Sequence, residues 1–298
     1  MELLIQLIWG GISTGSIYGL IAIGYNIVYN SSRMVNFSQG EFFTFGAMLV
    51  LTFTGGLMST AALAHLPLPV LPLVIAIFIS IIGTVLLALA AERLIFRRAL
   101  KFSPFAASNA SFGVIFLLQG IYQLIFSREY YFTPSFVKFQ LQFLGATLDS
   151  QAMLVLLTVI GAVLILWAYF FRTSQGLAMR AGAENPDAAR ILGISTTNLV
   201  RLSFIIASVI GAVAGIVIAP MVILGYDSGL AMTLKAFAAA ILGGLGNVFG
   251  AMVGGIVLGL MEALAGGYIS TIYKDAIVFS LLILILLYRP TGIFGKSA

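Results

Sequence analysis

The chain has 298 residues, 61% of them hydrophobic and 8% charged, with mean hydropathy +1.11 and a formal net charge of +5. Soluble domains run about 45–50% apolar and about 25% charged, so a water-facing globular fold is excluded and an integral membrane protein is implied. The absence of cysteine excludes disulfides, thiol catalysis and thiolate metal sites, and one histidine, His65, cannot build a histidine-rich metal centre.

The N-terminus carries Glu2 where a signal peptide has its basic region, and the apolar run 3–29 is too long for a signal core. That run is expected to be the first span. Further apolar runs fall at about 41–64, 70–92, 104–127, 151–171, 203–224, 233–264 and 273–288. A spanning helix needs about 20 residues, whereas outer-membrane barrels use alternating segments of about 10. The expected fold is therefore all-α: a polytopic helical membrane protein of about 8 spanning helices in one transmembrane domain, 1–298.

The seventh run is interrupted by Gly243-Gly244-Leu245-Gly246-Asn247. Glycine is a poor helix former and Asn favours caps. The run is expected to be a broken, re-entrant pair over about 233–264, with Asn247 capping the second half. With the N-terminus outside and this pair entering and leaving on the outer side, Arg33, Arg93, Arg97, Arg98, Lys101, Arg172, Arg180, Arg190, Arg201, Arg289 and Lys296 lie inside. Only Arg128, Lys138, Lys235 and Lys274 lie outside. That asymmetry obeys the positive-inside rule, and it assigns the positive charge to loops rather than to nucleic acid.

Two polar segments remain. The outer one, about 128–150, is rich in interfacial aromatics such as Tyr130, Tyr131, Phe132 and Phe136. The inner one, about 172–202, contains Asn185 as an N-cap, Pro186 at the first helical position, Asp187 at the positive helix start and Gly193 as a C-terminal cap. This predicts a helix of about seven residues, too short to be stable without a packing partner. That partner is either the membrane domain or a cytosolic protein.

Ser38-Gln39-Gly40-Glu41 fits a capping box, with Glu41 reaching back to the Ser38 N–H. Asn36, Ser38 and Gln39 either serve only that cap or also line the path of a polar solute. The break at Gly243, Gly244, Gly246 and Asn247 likewise has two readings. It is a tight turn that needs glycine, or a site near the membrane interior that offers helix N–H groups to a carboxylate. Glycines at four-residue spacing, 11/15/19, 211/215, 250/254 and 255/259, suit close helix packing or a moving interface. Lys235, Asp227, Lys274 and Asp275 mark helix ends or an outer dock, and Glu262 is an acid near the outer end of an apolar run. No catalytic constellation is present.

Three ordered segments resemble one family. They are Gly15-Ser16-Ile17-Tyr18-Gly19-Leu20-Ile21-Ala22-Ile23-Gly24-Tyr25 with Val35-Asn36-Phe37-Ser38-Gln39-Gly40-Glu41-Phe42; Arg180-Ala181-Gly182-Ala183-Glu184-Asn185-Pro186-Asp187-Ala188-Ala189-Arg190-Ile191-Leu192-Gly193-Ile194; and Gly243-Gly244-Leu245-Gly246-Asn247-Val248-Phe249-Gly250-Ala251. Over nearly its whole length the chain is similar to the branched-chain amino acid ABC permeases of the LivH type, with Ser38-Gln39 where many members have Ala-His.

The resemblance implies a permease subunit in a bacterial inner membrane, surrounded by lipid. Its implied partners are a second related permease, two cytosolic ABC ATPases and a periplasmic binding protein. It also implies that Glu184, Asn185, Pro186, Asp187, Ala188, Arg190 and Gly193 form the ATPase-coupling segment. The chain itself is expected to carry no cofactor and to hydrolyse nothing. The alternative is a stand-alone secondary transporter or channel for a small polar solute such as urea or an amide.

Overall fold

The computed structural model describes residues 2–55, 70–137, 139–143 and 146–295, with backbone alone for 140–143 and 146–148. His65, Lys138 and Lys296 lie outside the described residues.

The described helices, in order, are α1 (Glu2–Ser32), α2 (Gln39–Phe53), α3 (Leu73–Ala99), α4 (Pro104–Phe126), α5 (Ser150–Arg172), α6 (Ser174–Glu184), α7 (Pro186–Ile191), α8 (Thr196–Met221), α9 (Ser228–Gly243), α10 (Val248–Ile269) and α11 (Lys274–Tyr288). Six of them, α1, α3, α4, α5, α8 and α10, are long and apolar enough to cross a membrane. The shorter apolar helices α2, α9 and α11 complete the bundle. The protein is thus a polytopic helical membrane protein. The expected break is present: α9 ends at Gly243 and α10 begins at Val248.

Burial patterns follow composition. α1 is apolar all round and is buried without interruption from Gly15 to Val28, the pattern of a central helix. Up to Ala91, α3 buries only Ala76, Ser80, Thr84, Ala88 and Ala91, mostly at four-residue spacing, and exposes Phe78, Ile82 and Leu86; Glu92 and Phe96 continue the buried stripe. Such a helix has one protein-facing stripe and an apolar outer face suited to lipid.

Glycines set the closest crossing. A Cβ on Gly15 would stand 2.6 Å from the Gly255 carbonyl, and one on Gly11 3.0 Å from that of Gly259. α1 and α10 therefore meet backbone to backbone, the use of small residues expected where lipid gives no hydrophobic drive to helix association. The 211/215 pair packs differently, on Phe42 and Phe43 of α2, while Gly46 meets Ala212.

The segment 128–150 holds the two strands found among the described residues. β1 (Gln140–Phe143) pairs antiparallel with β2 (Ala146–Asp149), Gln140 opposite Asp149. A bridge between Tyr131 and Leu224 ties the preceding stretch to the entry of α9.

Candidate functional site

The path from α1 to α2 is the least expected feature. Arg33 closes α1 with φ 59°, a left-handed cap rarely occupied by a long side chain. The chain then turns back into the bundle without helix. Met34, Asn36, Ser38, Gln39 and Glu41 are all fully buried. Gln39 donates from Nε2 to the carbonyl of Ala207 at 2.8 Å. Ala207 lies roughly 16 Å along α8 from its first residue at 1.5 Å per residue. α2 therefore starts deep inside the protein, and 33–38 is irregular backbone at depth.

Irregular backbone is tolerated there only if its polar groups are satisfied. Hydroxyls on two neighbouring helices do this. Val35 N–H donates to Ser108 Oγ at 2.9 Å and Phe37 N–H to Ser111 Oγ at 3.0 Å, both on α4. Thr233 of α9 donates to the Phe37 carbonyl at 2.9 Å and accepts from Gly40 N–H at 3.0 Å.

The expected capping box does not form. Ser38 makes no side-chain cap; its N–H and Oγ both donate to Asn36 Oδ1, at 3.2 and 2.7 Å. Glu41 turns away, and its Oε1 accepts from Gln119 Nε2 on α4 at 3.2 Å. Asn36, sitting two residues before Ser38, outcompetes a glutamate that must fold back over a full turn. Three buried polar atoms in this stretch, Asn36 Nδ2, Gln39 Oε1 and Glu41 Oε2, have no hydrogen-bond partner among the described residues.

The break at Gly243, Gly244, Gly246 and Asn247 lies elsewhere. Gly244 and Gly246 have φ of +104° and +88°. Asn26 donates to the Asn247 carbonyl at 2.8 Å and accepts from Gly246 N–H at 3.1 Å, while Asn30 donates to the Gly246 carbonyl at 2.9 Å. Asn247 caps α10 as expected, accepting from Gly250 N–H at 2.9 Å. The C-terminal segment closes the other side, with Ile293 N–H on the Leu242 carbonyl at 2.7 Å. The break is therefore level with the last two turns of α1 rather than deep in the bundle. Short spacing from the end of α1 puts it there: α9 has only 16 residues and starts at the depth of Gly40.

The segment 172–202 contains two helices where one was expected. α6 precedes the short α7, which spans six residues. Asn185 Oδ1 accepts from the N–H of Asp187 at 3.1 Å and of Ala188 at 3.0 Å. Pro186 takes the first helical position, Asp187 pairs with Arg190 at 3.5 Å, and Gly193 has φ +82°. Glu184 through Ala188 and Arg190 are exposed, as are Ile191 at 87% and Leu192 at 77%. Two apolar side chains are thus exposed on a capped helix.

These pieces meet at one end of the molecule. Arg33 Nη2 donates to the Ala183 carbonyl in the last turn of α6 at 2.8 Å. A groove of about 710 Å³ is lined by Asn30, Arg33, Arg180, Glu184, Gly246 and Asn247, among others. The end of α6, the end of α1 and the break thus share one cavity, while Asn36, Ser38 and Gln39 lie deeper, directly along the chain from Arg33.

The opposite end carries an ionic cluster that sequence spacing did not reveal. Lys235 Nζ stands 2.6 Å from Glu262 Oε1 and 3.1 Å from Asp275, and Lys274 Nζ stands 2.8 Å from Glu262 Oε1. Tyr18 donates to Glu262 Oε2 at 2.8 Å. Asp227 instead accepts from Tyr130 at 3.1 Å, and that hydrogen bond raises the Tyr130 phenol above its usual pKa.

The multi-pass bundle with a buried polar entry to α2 is a polytopic helical membrane protein, and its class, a transport permease component, comes from its relatives. The match to the family described as branched-chain amino acid transport system, permease component, covers residues 7–286, and the chain belongs to that family. It is 34% identical over 303 residues to the high-affinity branched-chain amino acid transport system permease protein LivH of Salmonella typhimurium, covering 98% of this chain and 96% of the relative. It is 31% identical to the corresponding protein BraD of Pseudomonas aeruginosa, with the same coverage. Among solved structures, PsaBC from Streptococcus pneumoniae in complex with Fab is similar over 96% of this chain and 92% of that one, at 12% identity and a TM-score of 0.49.

Proposed function

We propose that the chain is the transmembrane permease subunit of an ATP-binding-cassette importer, passing branched-chain or related small amino acids delivered by a periplasmic binding protein. It is placed in a bacterial inner membrane as a single transmembrane domain over 1–298. It works with a second related permease and two cytosolic ATPases, and 172–202 is its coupling loop. One observation carries this reading: the irregular segment 34–38, polar and buried at depth, is joined through Arg33 to the exposed helix pair α6–α7.

In this reading an ATPase grips Glu184, Asn185, Pro186, Asp187, Ala188 and Arg190, with Gly193 ending the helix it holds. Displacement of α6 pulls on Arg33 through the Ala183 carbonyl. Arg33 leads within three residues to Asn36, so the pull reaches Asn36, Ser38 and Gln39, which border the solute path. The glycines 243, 244 and 246 with Asn247 border the inner exit, since they share the groove with Arg33 and Glu184.

The stand-alone transporter reading draws less support. Such proteins use buried acids as ion or proton sites; Glu262 and Glu92 are already neutralised by Lys235, Lys274 and Arg97, which leaves Glu41 as the one buried acid without an ion pair among the described residues.

The test is purification of the tagged chain in mild detergent with identification of what accompanies it, followed by reconstituted uptake. Two ATPases, a second permease and ATP-dependent leucine uptake are expected. A partner-free oligomer that transports solute on an ion gradient would overturn the proposal.

A further inference from the structure

Three carboxylates are buried in the bundle, and they are provided for very differently: Glu92 is held by Arg97 at 3.0 Å. Glu262 has two lysines and a tyrosine hydroxyl. Glu41 is fully buried, makes no ion pair among the described residues, and receives one amide N–H, from Gln119, on one oxygen. Its other oxygen, Oε2, has no hydrogen-bond partner there. A carboxylate withdrawn from water without a cation is costly, and inside a membrane it is retained for a reason. Structural capping is not that reason, since Ser38 N–H is taken by Asn36.

The surroundings indicate what the missing cation is. The carboxylate lies against Gly229 at the start of α9: a Cβ there would stand 2.6 Å from Oε1 and 2.9 Å from Oε2. A glycine at this point leaves the carboxylate room that any larger residue would remove. Gln119, its amide partner, is half-buried and shares one face of α4 with Phe112 and Phe116, seven and three residues back, which are 41% and 68% exposed. Phe37 stacks on Phe112 at 4.4 Å and meets Phe237 edge-on at 5.0 Å. A carboxyl group with an open oxygen is therefore joined through Gln119 to the helix face that carries Phe112 and Phe116, and Phe112 stacks on Phe37. A small molecule with an ammonium group and an apolar body matches that pairing. A neutral amide or urea does not use the charge, and a bare metal ion does not use the aromatic rings.

We infer that Glu41 is the point in the solute path that receives the ammonium group of the transported amino acid, with Gln119 positioning its carboxylate. This rests on the importer reading above and adds a residue and a chemical group to it.

The test uses the complete importer in liposomes, with ATP inside and leucine-loaded binding protein outside. Glu41→Gln keeps the shape and removes the charge; Glu41→Asp keeps the charge on a shorter stem. Leucine uptake is expected to fall at least about tenfold in the Gln variant, the scale of one lost charge-assisted hydrogen bond, and to persist in part in the Asp variant. Wild-type uptake by both, or equal loss in both, overturns the inference while leaving the importer reading intact. A wild-type complex inert towards leucine instead overturns the importer reading.

Variants that fail to assemble are covered by a second measurement. The chain has no cysteine, so Phe116→Cys gives it a single accessible thiol one turn from Gln119 on the same face and leaves Gln119 and Glu41 in place. Leucine-loaded binding protein with ATP should slow alkylation of that thiol, read on this chain, at least about threefold relative to unloaded binding protein with ATP. An unchanged rate overturns the inference.

Discussion

Arg33 holds the carbonyl of Ala183 at 2.8 Å, across 150 residues of sequence. The contact joins the only left-handed residue at the end of α1 to the last turn of the helix that precedes the coupling segment. Arg33→Ala should leave the fold in place, because the side chain is exposed and its backbone N–H still bonds Tyr29. Leucine uptake per ATP hydrolysed should fall, by up to about tenfold for a charge-assisted bond worth about 1.5 kcal/mol. Unchanged stoichiometry in proteoliposomes would remove Arg33 from the transmission route.

Asn185→Ala removes both cap bonds of α7 and should cost that helix about 1 kcal/mol. Glu184→Ala removes an exposed charge beside it. Both variants should insert normally yet co-purify with less ATPase and transport less. Full ATPase recovery with normal uptake would take the coupling role away from 184–193.

Gly246→Leu should insert and fail to transport. The residue has φ +88°, which costs a side-chain-bearing residue roughly 1–2 kcal/mol. Its Cβ would also stand 2.9 Å from Asn30 Oδ1 and push into the groove shared with Arg33. Normal uptake by a stably inserted variant would make the break a passive turn.

Glu262→Gln should destabilise the protein in detergent by up to about 3 kcal/mol, because it removes the charge that two lysines share and leaves Asp275 as the remaining partner of Lys235. Lys235→Met combined with Glu262→Leu should recover much of that loss. A double-mutant cycle read by thermal unfolding checks both, and additive effects would mean that the pair is not coupled.

Much of this was legible in the chain because it is written locally. Gly243 to Asn247 interrupts an apolar run with residues that cannot continue a helix, so the α9–α10 break could be placed from spacing. Asn185-Pro186-Asp187 encodes a helix start in three residues, and α7 begins there. The deep start of α2 was not legible. No glycine or proline marks 33–38, and the hydroxyls that make the segment viable come from Ser108, Ser111 and Thr233, on two other helices. Ser38 and Glu41 satisfied a local rule that tertiary partners overrode: Asn36 claimed one and Gln119 the other. The Lys235–Glu262 pair spans the break itself, and only the folding back of α10 on α9 brings its members together.

The glycine seam between α1 and α10 bears on how motion can travel. Helices separated by side chains can slide by swapping rotamers; helices in backbone contact cannot, because nothing lies between them to rearrange. Gly11 and Gly15 against Gly255 and Gly259 lock the upper part of the pair, and Asn26 and Asn30 clamp its lower end to the break. The two helices form a single lever whose handle is Arg33. If α6 is pulled as proposed, α1, the break and α10 move together, and the compliance for opening comes from the jointed entry to α2.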